Sequence, residues 1–262
     1  MLSIYKNTVL TLVLLLLLSS KTFPQTEVLY GGEELYYEVN YSFINIGWAK
    51  FTTEKITGQT ERYICRAKLK SNNSLPLIDV DFDFISEIEI KNGKIVPHKF
   101  TSYQYKDGKK STEVYDFLYD SALINIKRTG YDGRVEIDKK LRTSTVFQDG
   151  LSIFYFARAN TNKDISEYVP VLMQTDTSLM KIDFSAKRTD VEIGEFEGDI
   201  ASVYLEGFSY FTAVFGLTGE FSGWFSYDKA RIPLKAKLQV EIGSITLELK
   251  SWKHGNWQPP KF

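Results

Sequence analysis

The chain has 262 residues, a formal net charge of −1, one cysteine, and an aromatic content of 15% supplied by 18 Phe, 16 Tyr and 4 Trp. A single cysteine excludes a disulfide framework within the chain and a thiolate zinc site. The near-neutral charge gives no electrostatic footprint for a nucleic-acid partner.

The first 25 residues, "MLSIYKNTVLTLVLLLLLSSKTFPQ", read as a secretory signal peptide: Lys6 before an apolar run from Val9 to Leu18 and a polar exit from Ser19 to Gln25. The run is about half the length a membrane-spanning helix requires. An uncleaved anchor is the alternative. An exported chain is expected, periplasmic or extracellular, with no transmembrane span after the leader. Removing Lys6 and Lys21 would take the net charge from −1 to −3. Residues 26–262 are long enough to form one domain whose core needs no staple.

From there a period of two dominates. In "LYYEVNYSF", Leu35, Tyr37, Val39, Tyr41 and Phe43 fall on one face. In "RYICRAKLK", Tyr63, Cys65, Ala67 and Leu69 do the same, which makes Cys65 a small core residue. In "RIPLKAKLQVEI", Ile232, Leu234, Ala236, Leu238, Val240 and Ile242 oppose Lys235, Lys237, Gln239 and Glu241. Such alternation belongs to antiparallel sheet with one wet face. Further strands are predicted near Ala49–Lys55, Phe84–Lys91, Phe100–Tyr105, Thr112–Leu118, Leu123–Lys127, Tyr168–Gln174, Leu179–Lys187, Ile200–Glu206 and Leu217–Tyr227. Tight turns are predicted at "KDGK" (Lys106–Lys109) and "GYDGR" (Gly130–Arg134), because Gly adopts positive φ without steric cost. About a dozen strands on short connections imply a barrel, an open half-barrel or a sandwich.

One segment breaks the pattern. "FQDGLSIFYFARAN" (Phe147–Asn160) has helical spacing, and Asp149 is placed to cap it. At roughly 100° per residue, Phe147, Leu151, Phe154, Tyr155 and Arg158 share an apolar face. Gln148, Asp149, Ser152 and Asn160 fall on the far side. Such a helix is expected to close the concave side of the sheet. Arg158 stands near the middle of the apolar face, so its charge must snorkel out, pair with a carboxylate, or meet an anionic ligand.

In "WFSYDKARIP", Trp224, Asp228 and Arg231 read either as a charged turn held by an Asp228–Arg231 contact or as the rim of a pocket. Asp79, Asp81 and Asp83 in "DVDFD" share one face of an extended chain. They lack the loop spacing of a calcium hand and read as a solvated acidic edge. His98 and His254 sit in no metal-ligand spacing, and no nucleophile elbow, P-loop or dinucleotide fingerprint occurs. No catalytic residue, metal or cofactor is assigned on these grounds, although a carboxylate pair for glycoside hydrolysis remains open.

Four stretches together resemble the bacterial exported-protein family called domain of unknown function 3108: "GEELYYEVNYSFINIGWAKF", "QDGLSIFYFARA", "VEIGEFEGDIASVYLEG" and "GEFSGWFSYDKARIPLKAKLQVEIGSITLEL". The likeness runs from Gly32 to Trp252. The family's pattern has an Asp before the mid-chain helix, an Arg at its end, and a late Trp–Asp–Arg–Pro run. Asp149, Arg158, Trp224, Asp228, Arg231 and Pro233 stand in those places. Phe156 and Ala157 depart from the more usual tyrosine and leucine. The resemblance implies curved antiparallel sheets, by analogy similar to the half-barrels of bacterial lipoprotein carriers, and no catalytic residues.

The expectation is therefore an all-β, mainly antiparallel, curved open or half-barrel sheet with one central helix on its concave face. The first functional reading is a noncatalytic envelope protein holding a lipid or other amphiphile, with Phe154, Tyr155 and Arg158 as the lining and Asp149, Trp224, Asp228 and Arg231 as rim or structural residues. The competing reading is a structural or interaction protein that docks another envelope protein; a hydrolase is the third.

Overall fold

A computed structural model describes residues 28–72, 79–211, 219–240 and 243–262. The leader expected over residues 1–25 lies outside the described residues. Fourteen strands are present among the described ones: β1 (Glu33–Tyr41), β2 (Ile44–Lys55), β3 (Arg62–Ser71), β4 (Asp81–Lys91), β5 (Lys94–Lys106), β6 (Lys109–Leu118), β7 (Leu123–Thr129), β8 (Val135–Arg142), β9 (Ile165–Met173), β10 (Asp176–Val191), β11 (Ile200–Ser209), β12 (Gly219–Ser226), β13 (Pro233–Gln239) and β14 (Ser244–Lys253). The α-helix, α1 (Ser152–Asn160), lies between β8 and β9.

All fourteen strands form one sheet in the order β8-β7-β6-β5-β4-β3-β2-β1-β14-β13-β12-β11-β10-β9, every pair antiparallel. This is a sequential meander with its two chain ends zipped together, Leu35 opposite Trp252 and Tyr41 opposite Ile245. β8 and β9 are left unpaired with each other, so the sheet curls without closing. A curled sheet must bury its inner face. The parity of β1 supplies that face: Leu35, Tyr37 and Val39 are buried between half-buried Tyr36, Glu38 and Asn40. β3 does the same with Tyr63, Cys65, Ala67 and Leu69. Cys65 is fully buried, and desolvation pushes its thiol up to about 12.

The predicted turns close as the residue types require. Asp107 and Gly108, at φ 51° and 71°, join β5 to β6, the twist that suits the strands they connect. The aspartates of "DVDFD" project from the outer face. Asp81 pairs with Lys70 at 2.9 Å and Asp83 with Lys68 at 3.4 Å across β3. β8 was not foreseen from the sequence; its exposed, charged pattern has no clean alternation because it is an edge strand.

The core falls into two clusters on the inner face. The larger draws on β1 to β7, β13, β14 and α1, with single residues from β9, β10 and β11. The smaller, of Val169, Val171, Met180, Ile182, Phe184, Val203, Leu205 and Phe225, spans β9 to β12. α1 sits between them: Phe154 stacks on Phe51 with centroids 4.5 Å apart, and Phe156 meets Phe184 at 6.5 Å.

Candidate functional site

The helix is held at both ends by buried polar groups. At the N-terminal end, Asp149 Oδ1 accepts the backbone N–H groups of Leu151 and Ser152 at 2.8 Å each. Ser152 Oγ in turn accepts the N–H of Asp149 at 2.7 Å. This reciprocal arrangement satisfies donors that a helix start leaves orphaned. Asp149 Oδ2 accepts the hydroxyl of Ser86 on β4 at 2.7 Å, which ties the cap to the sheet. Just before it, Gln148 pairs with β9 through Pro170 and Leu172 and donates its side-chain amide to Ile95 O, crossing the unpaired seam. Asp149 is fully buried, and desolvation pushes its carboxyl up to about 6 against the pull of these hydrogen bonds.

At the C-terminal end Arg158 is completely buried. Its guanidinium makes a bidentate pair with Glu33, Nη1–Oε1 2.6 Å and Nη2–Oε2 2.8 Å. It donates again from Nε (3.0 Å) and Nη2 (2.8 Å) to the carbonyl of Ala230. His254 Nδ1 lies 2.7 Å from Glu33 Oε2. Desolvation pushes the Glu33 carboxyl up, but Arg158 and then His254 outweigh it and hold the group below its ordinary value of 4.5. A planar fork meeting a carboxylate edge-on is the geometry in which a buried pair offsets its own desolvation.

Of the candidate rim residues, Asp228 and Arg231 meet in one turn, while Asp149 and Trp224 lie elsewhere. Asp228 organises the β12–β13 turn: its Oδ1 accepts from Ser226 Oγ and from the backbone of Ala230 and Arg231, and its Oδ2 accepts Trp257 Nε1 at 2.7 Å. The expected Asp228–Arg231 contact thus forms through the Arg231 backbone. The Arg231 side chain is buried and donates to the carbonyl of Ala159, the penultimate residue of α1. Trp224 faces away from the helix, against Tyr204 with centroids 5.1 Å apart. A groove of about 440 Å³ on that outer surface is lined by Lys181, Asp183, Glu206, Glu220 and Lys237 among others.

Of the expected lining, Tyr155 and Arg158 stand behind the helix, spent on protein partners. The Tyr155 hydroxyl lies 2.9 Å from Thr53 Oγ1. Phe154 is only half-buried. The residues expected on the far side, Gln148, Asp149, Ser152 and Asn160, are all buried: Ile95 of β5 accepts from Gln148, Ser86 donates to Asp149, Ser152 accepts the Asp149 N–H, and Asn160 donates to the Phe156 carbonyl. Conversely, Ile153, Phe154, Phe156 and Ala157 are incompletely covered. The sealed side thus mixes Leu151, Tyr155 and Ala159 with Ser152, Arg158 and Asn160, and the partly covered side is apolar, unlike a surface helix.

Inner-face positions on the sheet share this incomplete cover. Leu247 is half-buried although its same-face neighbours Ile245 and Leu249 are 5% and 0% exposed. Phe51, Phe221, Ala236 and Leu238 are likewise half-buried, and register places them inward: Phe51 opposite Leu35, Phe221 opposite Leu238, Ala236 opposite Leu247.

Among the residues missed from sequence, Glu33 had a signal. It lies two positions before Leu35, so the parity of β1 puts a carboxylate on the apolar stripe. Ser86 had the same signal, a hydroxyl on the stripe Phe84, Ser86, Ile88 and Ile90 of β4; His254 had none.

A comparison with curated proteins returned no match. Among solved structures, the chain is similar to a beta-barrel-like protein of the domain of unknown function DUF1849 from Brucella abortus. The TM-score is 0.55 at 8% identity, covering 87% of this chain and 99% of that one, a likeness of fold alone. A family model matches residues 36–250, and the chain belongs to the family described as protein of unknown function, DUF3108.

Proposed function

We propose that this chain is an exported, noncatalytic binding protein that holds an apolar or amphiphilic molecule on the concave side of the sheet, in front of α1. One observation carries the reading: Ile153, Phe154, Phe156 and Ala157 of α1 are left half-covered facing the inner sheet, while the opposite side of the helix is sealed. Leaving such side chains uncovered forfeits on the order of 1 kcal/mol each, which an acyl or aromatic ligand would recover. Phe51, Phe221, Ala236 and Leu247 form the opposing wall. A mostly apolar concavity with few polar groups is the common form of such sites. The buried ionisable groups around α1, Asp149, Glu33 and Arg158, have protein partners and serve to hold the helix in place.

The test uses N-phenyl-1-naphthylamine, a dye that brightens in apolar sites. The protein should enhance its fluorescence saturably. Ala236→Trp, which fills the concavity from the sheet side, should weaken binding at least about tenfold while the circular dichroism spectrum is unchanged. No saturable binding by the parent protein, or equal binding by the filled variant, would overturn the proposal.

A further inference from the structure

Because neighbouring strands are antiparallel, the turns divide between two rims. The C-terminus of α1, the Ala230 turn and the chain's tail occupy one: Phe262 N–H donates to Asp199 O at 3.1 Å and Ala201 N–H to Pro260 O at 2.8 Å. The β1–β2, β5–β6 and β9–β10 turns share the other. On that second rim the β1–β2 tip carries Phe43, 91% exposed, and Ile44, 45% exposed. The end of β11, on the same rim, presents Phe208 and Tyr210 with ring centroids 4.9 Å apart. The β5–β6 tip sets Lys106 directly opposite Lys109, with Lys110 beside it, all exposed. The turn also holds exposed Asp107, and Lys110 Nζ lies 4.8 Å over the Tyr103 ring. Three lysines against one aspartate still leave the tip positive, and like charges directly across a hairpin repel, so the tip is suited to an external anion.

We infer that this rim docks on a lipid bilayer: Phe43 and Ile44 insert between acyl chains, and Lys106, Lys109 and Lys110 lie against headgroup phosphates. Exposed apolar side chains on separate turns, with a lysine-bearing tip on the same rim, suit a soft interface that fills around each tip. A protein partner would need a continuous patch of about 800 Å². The half-covered inner residues Leu238, Phe221 and Tyr41 lie toward this rim, so an amphiphile could pass between bilayer and concavity. The direction of passage rests on the binding reading above; the docking itself does not.

Flotation of the chain without its leader (residues 26–262) with vesicles of phosphatidylcholine, with and without 30 mol% phosphatidylglycerol, tests it. The protein should float with both and more strongly with the anionic mixture. Phe43→Ser with Ile44→Ser should weaken flotation on the order of tenfold or more. Lys106→Gln, Lys109→Gln and Lys110→Gln together should remove the preference for anionic vesicles, about fivefold per lysine at low salt. Dye binding in solution should be unchanged in both variants, which separates loss of docking from loss of the ligand site. Absence of flotation by the parent protein, flotation unaffected by the double serine variant, or a parent oligomer that this variant dissolves would each overturn the docking.

Discussion

Arg158 and Glu33 each occupy the apolar stripe of their own element, and each makes sense only because of the other. Arg158 interrupts the run Leu151, Tyr155, Ala159 on α1; Glu33 begins the run Leu35, Tyr37, Val39 on β1. Deleting one partner leaves a buried charge. Arg158→Leu or Glu33→Gln should therefore each cost about 3–5 kcal/mol in urea denaturation. Arg158→Met combined with Glu33→Leu should cost clearly less than the sum. Additive losses would mean that the pair is not the unit of stability. The anomaly at Arg158 was legible from helical periodicity. Its partner was not identifiable, because Glu33 and Arg158 are 125 positions apart and only the curl of the sheet brings them together.

At the scale of the element, α1 shows how local rules and tertiary context divide the work. Its existence and its Asp149 cap followed from spacing. Its start did not: the segment from Phe147 to Leu151 stays extended or turned because Gln148 is drawn into pairing with β9. The cap also makes the element sensitive to pH. The Asp149 pKa is raised from its ordinary 3.8 to about 6, so its protonated form is favoured by folding. That contribution is fully present below pH 3.8 and is lost as pH rises through about 6. Glu33 has the opposite sign, since its pKa is lowered: its contribution is present above pH 4.5 and is lost as pH falls through its depressed folded value. Thermal midpoints should therefore rise on acidification from pH 7 toward about 4.5 and fall below about 3.8, where only the Glu33 contribution still changes. Asp149→Asn, which keeps an oxygen acceptor for the N–H groups, should flatten the upper limb and leave the lower one. An unchanged profile in that variant would remove Asp149 from the explanation.

For the whole molecule the controlling feature is where the meander closes. β1 and β14 pair along their length although they are the first and last strands, while β8 and β9, consecutive in the chain, are held apart by the helical segment. The seam is bridged by Gln148 and by Lys139 and Asp176 at 2.9 Å. Local opening should thus begin at β8. In native-state hydrogen exchange its amides should exchange on the order of 100-fold faster than those of β1 and β14. Equal protection would mean that the seam is not the weak line.

The sequence by itself determined the antiparallel sheet, the tight turns, the central helix and the misplaced charge on its apolar face. Each of these is written in a periodicity of two or about 3.6 residues, or in a turn's demand for positive φ. Only the tertiary structure decided that β1 closes on β14, that Glu33 answers Arg158, that Ile153, Phe154, Phe156 and Ala157 are the residues of α1 left half-covered, and that Phe43 and the β5–β6 lysines share a rim. Those are relations between segments far apart in the chain. They follow from the register and curvature of one sheet, which no local pattern encodes.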